Sequence, residues 1–240
     1  MAASTSSPAA LRVAPLDSAH VHDAARVLHT AFATGEYAWG PAVGMPPQGF
    51  EGWMLHDYIP KRVAAKPASL IALSATEVAG VMAMEDYHEA EEPLDTEASG
   101  SGMSAIMELL HRCKGIVQRR ATNDAAAGGA AEAALLAPSG DVGQALYFAF
   151  LGVSDAHRRH GVAARLVDDA VTRGRAEGFA AGVAFCTSHA STALFKRAGF
   201  EHWGGVRYHE FEFEGRKPFA SLPDDECTVM VARWKRSKQS

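Results

Sequence analysis

The sequence predicts an α/β protein with one central mixed sheet and helices on both faces. Short apolar runs typical of buried strands alternate with segments whose apolar residues recur at helical spacing. The run Ala145–Val153 carries no charged residue, as expected for a strand buried on both faces. Residues 162–177 then place Leu166, Val167 and Ala170 on one helical stripe. With 240 residues, the chain is long enough for one large domain.

Seven strands and five helices can be placed in order along the chain. The predicted strands are residues 11–16, 69–73, 78–84, 145–153, 181–186, 202–213 and 226–234. The predicted helices are residues 19–33, 50–65, 103–119, 162–177 and 191–198. Pro60 is expected to bend or split the second helix. The second and third strands flank a short polar turn, which predicts an antiparallel pair.

The composition of the chain predicts one domain between two short tails. Residues 1–10 and 235–240 are expected to be tails around a single domain of residues 11–234. Within this domain, the Ala/Gly-rich stretch 121–143 is expected to be a low-complexity insertion that loops out between the strands of the sheet.

Charge and cysteine content exclude several classes of protein. The net charge of −5 offers no basic surface for nucleic acid, and no apolar stretch is long enough to span a membrane. The three cysteines, Cys113, Cys186 and Cys227, are odd in number and have no zinc-ligand spacing. We therefore expect a cytoplasmic protein without a metal. Separately from these features, we expect a monomer or a weak homodimer.

A turn between strand 145–153 and the next helix is typical of an anion site. It reads Arg158, Arg159, His160, Gly161, Val162 and Ala163. The first amides of a helix lack partners and, with the helix dipole, attract anions such as phosphate. Arginines add charge-assisted hydrogen bonds. An ordinary strand–helix turn has the same spacing, however, and neither a dinucleotide fingerprint nor a P-loop is present.

Two motifs in this region resemble the GNAT acetyltransferase superfamily. The pattern R-x-x-G-x-A from Arg158 to Ala163 resembles its coenzyme A loop, and 194–200 resembles the superfamily ending L-Y-x-K-x-G-F. The resemblance implies one GNAT-type domain with a mostly antiparallel, seven-stranded sheet that splays at the fourth and fifth strands. It also implies acetyl-CoA as cosubstrate. The residues expected to bind it are Leu151, Gly152, Val153, Arg158, Arg159, His160, Gly161, Val162, Ala163, Ser188 and Phe195.

Two further segments resemble the insect-type arylalkylamine (dopamine) N-acetyltransferases. Residues 186–191 are similar to that branch's C-S-S-H-x-S stretch, and 31–36 to its F-F-x-x-E loop. The resemblance implies Glu36 as general base and the hydroxyls of Thr187 and Ser191 as catalytic groups. Thr187 replaces a serine of the family pattern. The implied partner is a small primary amine of the tyramine, dopamine, serotonin or tryptamine type.

The implied chemistry requires such groups. A primary amine with a pKa near 10 is protonated at neutral pH, and removing its proton at pH 7 costs roughly 4 kcal/mol. A carboxylate acting through water can take that proton. The leaving thiolate also needs a proton, and Phe195 stands where many superfamily members have a tyrosine. That role is therefore expected to fall to the hydroxyls of Thr187, Ser188 or Ser191.

Several alternatives stay open on the sequence alone. The acceptor could instead be a polyamine, an amino acid or a protein amine, or the chain could be an acyl-CoA sensor. His189 beside the hydroxyls suggests a triad, but no partner carboxylate can be assigned. The acidic run 85–97 is either a solvated loop or a rim that concentrates amines.

Overall fold

The computed structural model describes residues 11–34, 42, 47–63, 65, 67–75, 77–89, 101–126, 135–138, 140–223 and 225–234. Its strands are β1 Leu11–Pro15, β2 Leu70–Ser74, β3 Glu77–Asp86, β4 Ala145–Val153, β5 Ala181–Cys186, β6 Glu201–Arg207 and β7 Glu226–Arg233. Its α-helices are α1 Val21–His29, α2 Pro47–Trp53, α3 Ile59–Val63, α4 Ser101–Ala126, α5 Val162–Ala176 and α6 His189–Arg197. Two π-helical segments, Thr30–Thr34 and Met54–Tyr58, follow α1 and α2.

The strands form a single sheet, which confirms the predicted fold class. Its order is β1-β2-β3-β4-β5-β7-β6, and only β4 and β5 run parallel among these neighbours. The parallel pairing covers four residues, from Ala145 opposite Ala181 to Phe148 opposite Ala184. The last five residues of β4 therefore separate from β5, and the sheet opens between them as the family resemblance implied.

A β-bulge lies at the point where the two strands separate. Ala83 of β3 is opposite Phe150, while the next residue, Met84, is opposite Phe148. Ala149 is therefore an extra residue in β4 without a partner in this register. A bulge of this kind bends its strand and increases its local twist. It turns the end of β4 away from β5 at the opening.

Helices cover both faces of the sheet. Helices α1 and α4 pack on one face, where the core includes Leu28 and Leu109, and α5 and α6 pack on the other, around Leu166 and Phe195. Gly152 of β4 allows α1 to approach closely, since a Cβ there would lie 2.9 Å from Leu28 Cδ2. Helices thus pack on both faces of β4, including the end that separates from β5.

Two elements differ from the prediction. The strand predicted over 202–213 ends at Arg207, because the chain turns there and buries Tyr208 and Phe211 against Phe219. Their alternation with polar residues resembled a strand but comes from this separate aromatic cluster. The fourth helix continues to Ala126, through the start of the predicted insertion, because its alanines are strong helix formers.

The remaining predictions about the domain are either confirmed or fall outside the described residues. The second helical segment is interrupted near Pro60, as expected, and forms α2, a π-helical segment and α3. The predicted tails 1–10 and 235–240 and most of the stretch 121–143 lie outside the described residues. None of the helices within the described ranges is long and apolar enough to cross a membrane.

Candidate active site

The N-terminus of α5 is open at the predicted anion turn. Gly161 is the N-cap residue, and its φ of 78° lies in the left-handed region that glycine adopts readily. No side chain caps this helix end. A Cβ on Gly161 would have no atom within 4 Å among the described residues, so the space beside this N-cap residue is open. The turn therefore offers backbone donors and the positive end of a 15-residue helix to an anion.

Cationic side chains surround this open end. Arg158 is paired with Asp155 at 3.1 Å, and both are substantially exposed. Arg159 is exposed and has a φ of 63°, which is uncommon for a residue with a side chain. His157 accepts from or donates to Ser154 Oγ at 2.8 Å, and His160 is exposed. The sequence predicts that the two arginines and His160 bind the diphosphate, and all three lie on this turn.

The N-terminus of α6, by contrast, is closed by its own side chains. Ser188 is its N-cap, and Ser188 Oγ accepts a hydrogen bond from the Ser191 amide at 3.2 Å. Ser191 Oγ accepts from the Ser188 amide at 3.3 Å and donates to the Ser188 carbonyl at 2.9 Å. The two hydroxyl oxygens are 3.1 Å apart. This reciprocal capping box gives hydrogen-bond partners to N–H groups at the start of α6, whereas no side chain does so at the start of α5.

The cysteine before this cap is a buried thiol. Burial raises the pKa of Cys186 to about 12, although hydrogen bonds from Ser191 and Thr192 oppose this increase. The thiolate is the nucleophilic form of cysteine, so a thiol that stays protonated at neutral pH is inert. Cys186 is thus a small buried residue.

A cavity of about 480 Å³ opens where β4 and β5 separate. On one side it is lined by Ser188 and Ser191 at the start of α6 and by Phe195 near its end, and on the other by Tyr58 and Glu85. Residues from both core layers thus contribute to its wall, because the gap in the sheet joins the two faces. A ligand entering along the open end of β4 can meet a second ligand from the opposite face.

The wall opposite α6 is aromatic. Tyr58 and Phe150 lie with ring centroids 5.0 Å apart in an edge-to-face arrangement, and Trp53 lies 5.0 Å from Tyr58. Phe32 contacts Phe150 at 5.3 Å, also edge-to-face. Phe32 and Trp53 also line the cavity.

A polar cluster of Tyr58, Glu85 and Arg62 interrupts this aromatic wall. The Tyr58 hydroxyl donates to Glu85 Oε1 at 2.5 Å, and Arg62 Nη1 lies 3.9 Å from the same oxygen. The Arg62 guanidinium also lies 5.2 Å from the centre of the Tyr58 ring. Burial, reinforced by the Glu85 charge, raises the pKa of the Tyr58 phenol well above its usual 10. Tyr58 therefore stays a hydrogen-bond donor at every physiological pH.

The structure brings some of the predicted site residues together and leaves others untested. Leu151, Thr187, Ser188, Ser191 and Phe195 line the cavity. Gly152 and Val153 continue β4 toward the open helix end. Glu36, the predicted base, lies outside the described residues.

The histidine of the hydroxyl cluster is placed differently from its neighbours. His189 is 68% exposed and lies 3.7 Å from Asp225, which is also exposed. It is not among the residues that line the cavity. Sequence reasoning found no carboxylate for His189, and the structure supplies one, but on the surface.

Sequence reasoning missed the Tyr58, Arg62 and Glu85 cluster. In the sequence, Tyr58 falls inside the predicted helix 50–65 and Glu85 begins the acidic run 85–97. One signal was available, since Glu85 directly follows the apolar strand 78–84. A carboxylate at the end of a buried strand is a stronger candidate than one inside a polar loop. No group of three potential metal ligands occurs among the described residues.

A match to a known family model identifies the family of this chain. Residues 82–200 match the family model described as "Acetyltransferase (GNAT) family". This chain contains a GNAT acetyltransferase domain. It is therefore an acyltransferase of a family that uses acetyl-CoA. No curated protein matches the sequence.

Solved structures share the GNAT fold over nearly the whole chain. The C-terminal condensation domain of Ebony, solved in complex with β-alanyl-dopamine, has a TM-score of 0.75 at 15% identity, covering 94% of this chain and 99% of its own. Arylalkylamine N-acetyltransferase 2 from Aedes aegypti has a TM-score of 0.68 at 18% identity, with coverage of 94% and 99%. The polyamine N-acetyltransferase of Drosophila melanogaster has a TM-score of 0.63 at 19% identity, with coverage of 93% and 100%. At these identities, the structural similarity shows the fold alone.

Proposed function

We propose that this protein transfers the acetyl group of acetyl-CoA to the primary amine of a small arylalkylamine. The observation that carries the proposal is the cavity between β4 and β5, which connects the hydroxyl-lined start of α6 with the aromatic wall. An amine bearing an aromatic ring fits such a wall, since aromatic pairs add about 0.5–1.5 kcal/mol beyond the burial of their area. One structural neighbour is named an arylalkylamine N-acetyltransferase, and another is solved with β-alanyl-dopamine.

In this proposal the diphosphate of coenzyme A binds the open end of α5. The amides that follow Gly161 donate to it, and Arg158, Arg159 and His160 lie beside it. The pantetheine chain then follows the separated end of β4 past Val153 and Leu151 and brings the thioester to the cavity. A β4 amide near Val153 stabilises the oxyanion that forms on the thioester carbon.

Proton transfer in this proposal uses one carboxylate and the hydroxyl cluster. Glu36 takes the ammonium proton through water, which offsets the roughly 4 kcal/mol needed to deprotonate an amine at pH 7. After the amine attacks, the oxyanion collapses and the C–S bond breaks. The proton on the new ammonium nitrogen passes through the hydroxyl of Ser191 or Thr187 to the leaving thiolate, so that the hydroxyl ends as it began. Phe195 lines the cavity at the position of the family tyrosine and has no hydroxyl to supply.

A polyamine or agmatine is the second candidate acceptor. Carboxylates in the cavity wall favour it, as do neighbours named as agmatine and polyamine N-acetyltransferases. Release of free thiol from acetyl-CoA, measured with tyramine, tryptamine, serotonin, dopamine, agmatine and spermidine, separates the candidates. Turnover on aromatic amines supports the proposal. Turnover restricted to diamines and agmatine would replace its substrate, and acetyl-CoA binding without turnover of any amine would indicate a sensor.

A further inference from the structure

The cluster of Tyr58, Glu85 and Arg62 lies in the wall of the same cavity as the hydroxyls of α6. Tyr58 belongs to the core layer on the opposite face of the sheet from Phe195. Glu85 is opposite Tyr147 in the sheet register, four to six residues before Leu151–Val153 of β4. In the proposed function Glu36 is the base, so this cluster is available to bind another part of the acceptor.

The cluster offers an acceptor and a donor side by side. The carboxylate of Glu85 is 26% exposed, and both its contacts, with Tyr58 and Arg62, use Oε1, so that Oε2 takes no part in them. Arg62 is 17% exposed, and its buried Nε has no hydrogen-bond partner among the described residues. The guanidinium thus keeps donor capacity that its ion pair does not consume.

This combination suits a hydroxyl group better than a second cation. An ammonium or guanidinium group only donates hydrogen bonds, and the charge of Arg62 beside Glu85 would repel it. A hydroxyl donates to the carboxylate and accepts from the guanidinium at the same time. The rings of Tyr58, Trp53 and Phe150 form the wall beside the cluster and can hold the aromatic ring that carries the hydroxyl.

We propose that Glu85 and Arg62, with Tyr58 as a positioning residue, recognise a ring hydroxyl at the far end of the acceptor. The protein then selects hydroxyaryl-ethylamines over the same amines without the hydroxyl. This inference rests on the proposed function, since it names a feature of the proposed substrate class. Tyr58 acts by fixing one carboxylate oxygen, which leaves the other oriented for the substrate.

The test compares tyramine with phenethylamine, two amines that differ only in the ring hydroxyl. Their affinities are measured by calorimetry in the presence of coenzyme A, and their kcat/KM by thiol release from acetyl-CoA. The wild-type protein should bind tyramine at least tenfold more tightly. Glu85→Gln should reduce this preference to threefold or less, mainly by weakening tyramine binding. Tyr58→Phe should reduce it partially.

Glu77→Gln is the matched control. Glu77 begins the same strand, is exposed and lies outside the residues that line the cavity, so the preference for tyramine should stay unchanged. Equal binding of the two amines by the wild type, or a preference unaffected by Glu85→Gln and Tyr58→Phe, would overturn the inference. Tighter binding of agmatine that is lost in Glu85→Gln would also overturn it, in favour of a cation site.

The binding measurement separates this inference from the proposed function. A tyramine preference that depends on Glu85 but is accompanied by no thiol release would support the hydroxyl site and contradict acetyl transfer. Thiol release at equal rates with both amines would support acetyl transfer and contradict the hydroxyl site.

Discussion

The two parallel strands at the centre of the sheet each lead into a helix, and the two helix ends are built in opposite ways. After β4, the N-cap is Gly161 in the left-handed conformation, and no side chain caps α5. After β5, Ser188 and Ser191 cap α6 reciprocally. The same local architecture therefore leaves the first helical amides without a side-chain cap in one place and holds a preorganised pair of hydroxyls in the other. The hydroxyls expected to assist catalysis are held in position by a structural hydrogen-bond network.

The largest expected effect lies at neither helix end. If the open end only binds coenzyme A and the closed end only positions hydroxyls, a separate base must take the amine proton. Glu36→Gln should then lower turnover by about 10²–10⁴-fold and flatten the acid limb of the pH profile, with coenzyme A affinity retained. Glu51→Gln, at an exposed position of α2, serves as the control. Unchanged turnover in Glu36→Gln would assign the base to another group.

The open end should be sensitive to any side chain in front of its amides. Gly161→Val should weaken coenzyme A binding about 10–100-fold, because the side chain occupies the approach of the diphosphate and the left-handed backbone becomes strained. Calorimetry measures the affinity. Gly178→Val is a matched control, since Gly178 follows the other end of α5 with a φ of 97° and equally open space. Equal losses of affinity in both variants would indicate a general effect of backbone strain.

The closed end should show two separable effects. Ser191→Ala removes the N3 half of the capping box, which should cost about 1 kcal/mol of stability, and also a cavity hydroxyl, which should lower kcat about tenfold. Thr192→Ala removes a hydroxyl that bonds the Ser188 carbonyl at 3.0 Å but does not line the cavity. Thermal unfolding and kcat are measured for both. A similar loss of kcat in the two variants would assign Ser191 a purely structural role.

The smallest effect is expected for the thiol next to the closed end. Cys186→Ala should keep turnover within about twofold, because the raised pKa of Cys186 keeps it protonated and inert. A tenfold loss of turnover without a loss of stability would contradict this.

The same thiol predicts how stability depends on pH. Its pKa is near 9 when unfolded and about 12 when folded, so its contribution is complete below pH 9 and is lost as pH rises toward 12. Chemical denaturation between pH 9 and pH 12 should therefore show a shallower decline for Cys186→Ala than for the wild type. Parallel declines in the two proteins would contradict the buried, protonated thiol.

The sequence predicted the strands, helices and helix ends that depend only on residues close together in the chain. Apolar runs located the strands, and Arg158 to Ala163 located the open helix end, since a glycine before a helical stripe is visible in the chain itself. The strand over 202–213 was wrong beyond Arg207 because the burial of Tyr208 and Phe211 depends on Phe219, which is distant in sequence. Pairing between distant segments leaves no periodic signal.

The candidate site was predictable only in part for the same reason. Ser188 and Ser191 are three residues apart, so their hydroxyls were recognisable as one cluster. Tyr58 and Glu85 are 27 residues apart and meet only because β3 and the helix before β2 pack together. The capping box between the serines also required the φ and ψ angles of Ser188, which the sequence does not encode in an obvious pattern.

Nuclear magnetic resonance of the backbone amides tests most directly whether the open end of α5 binds the diphosphate of coenzyme A. A ¹⁵N-labelled sample is titrated with coenzyme A and, separately, with pantetheine, which lacks the diphosphate. Coenzyme A should move the amide protons of Val162 and Ala163 downfield, as hydrogen bonding to an anion does, whereas pantetheine should leave them in place. Val162 and Ala163 amides that do not respond to saturating coenzyme A would contradict the claim.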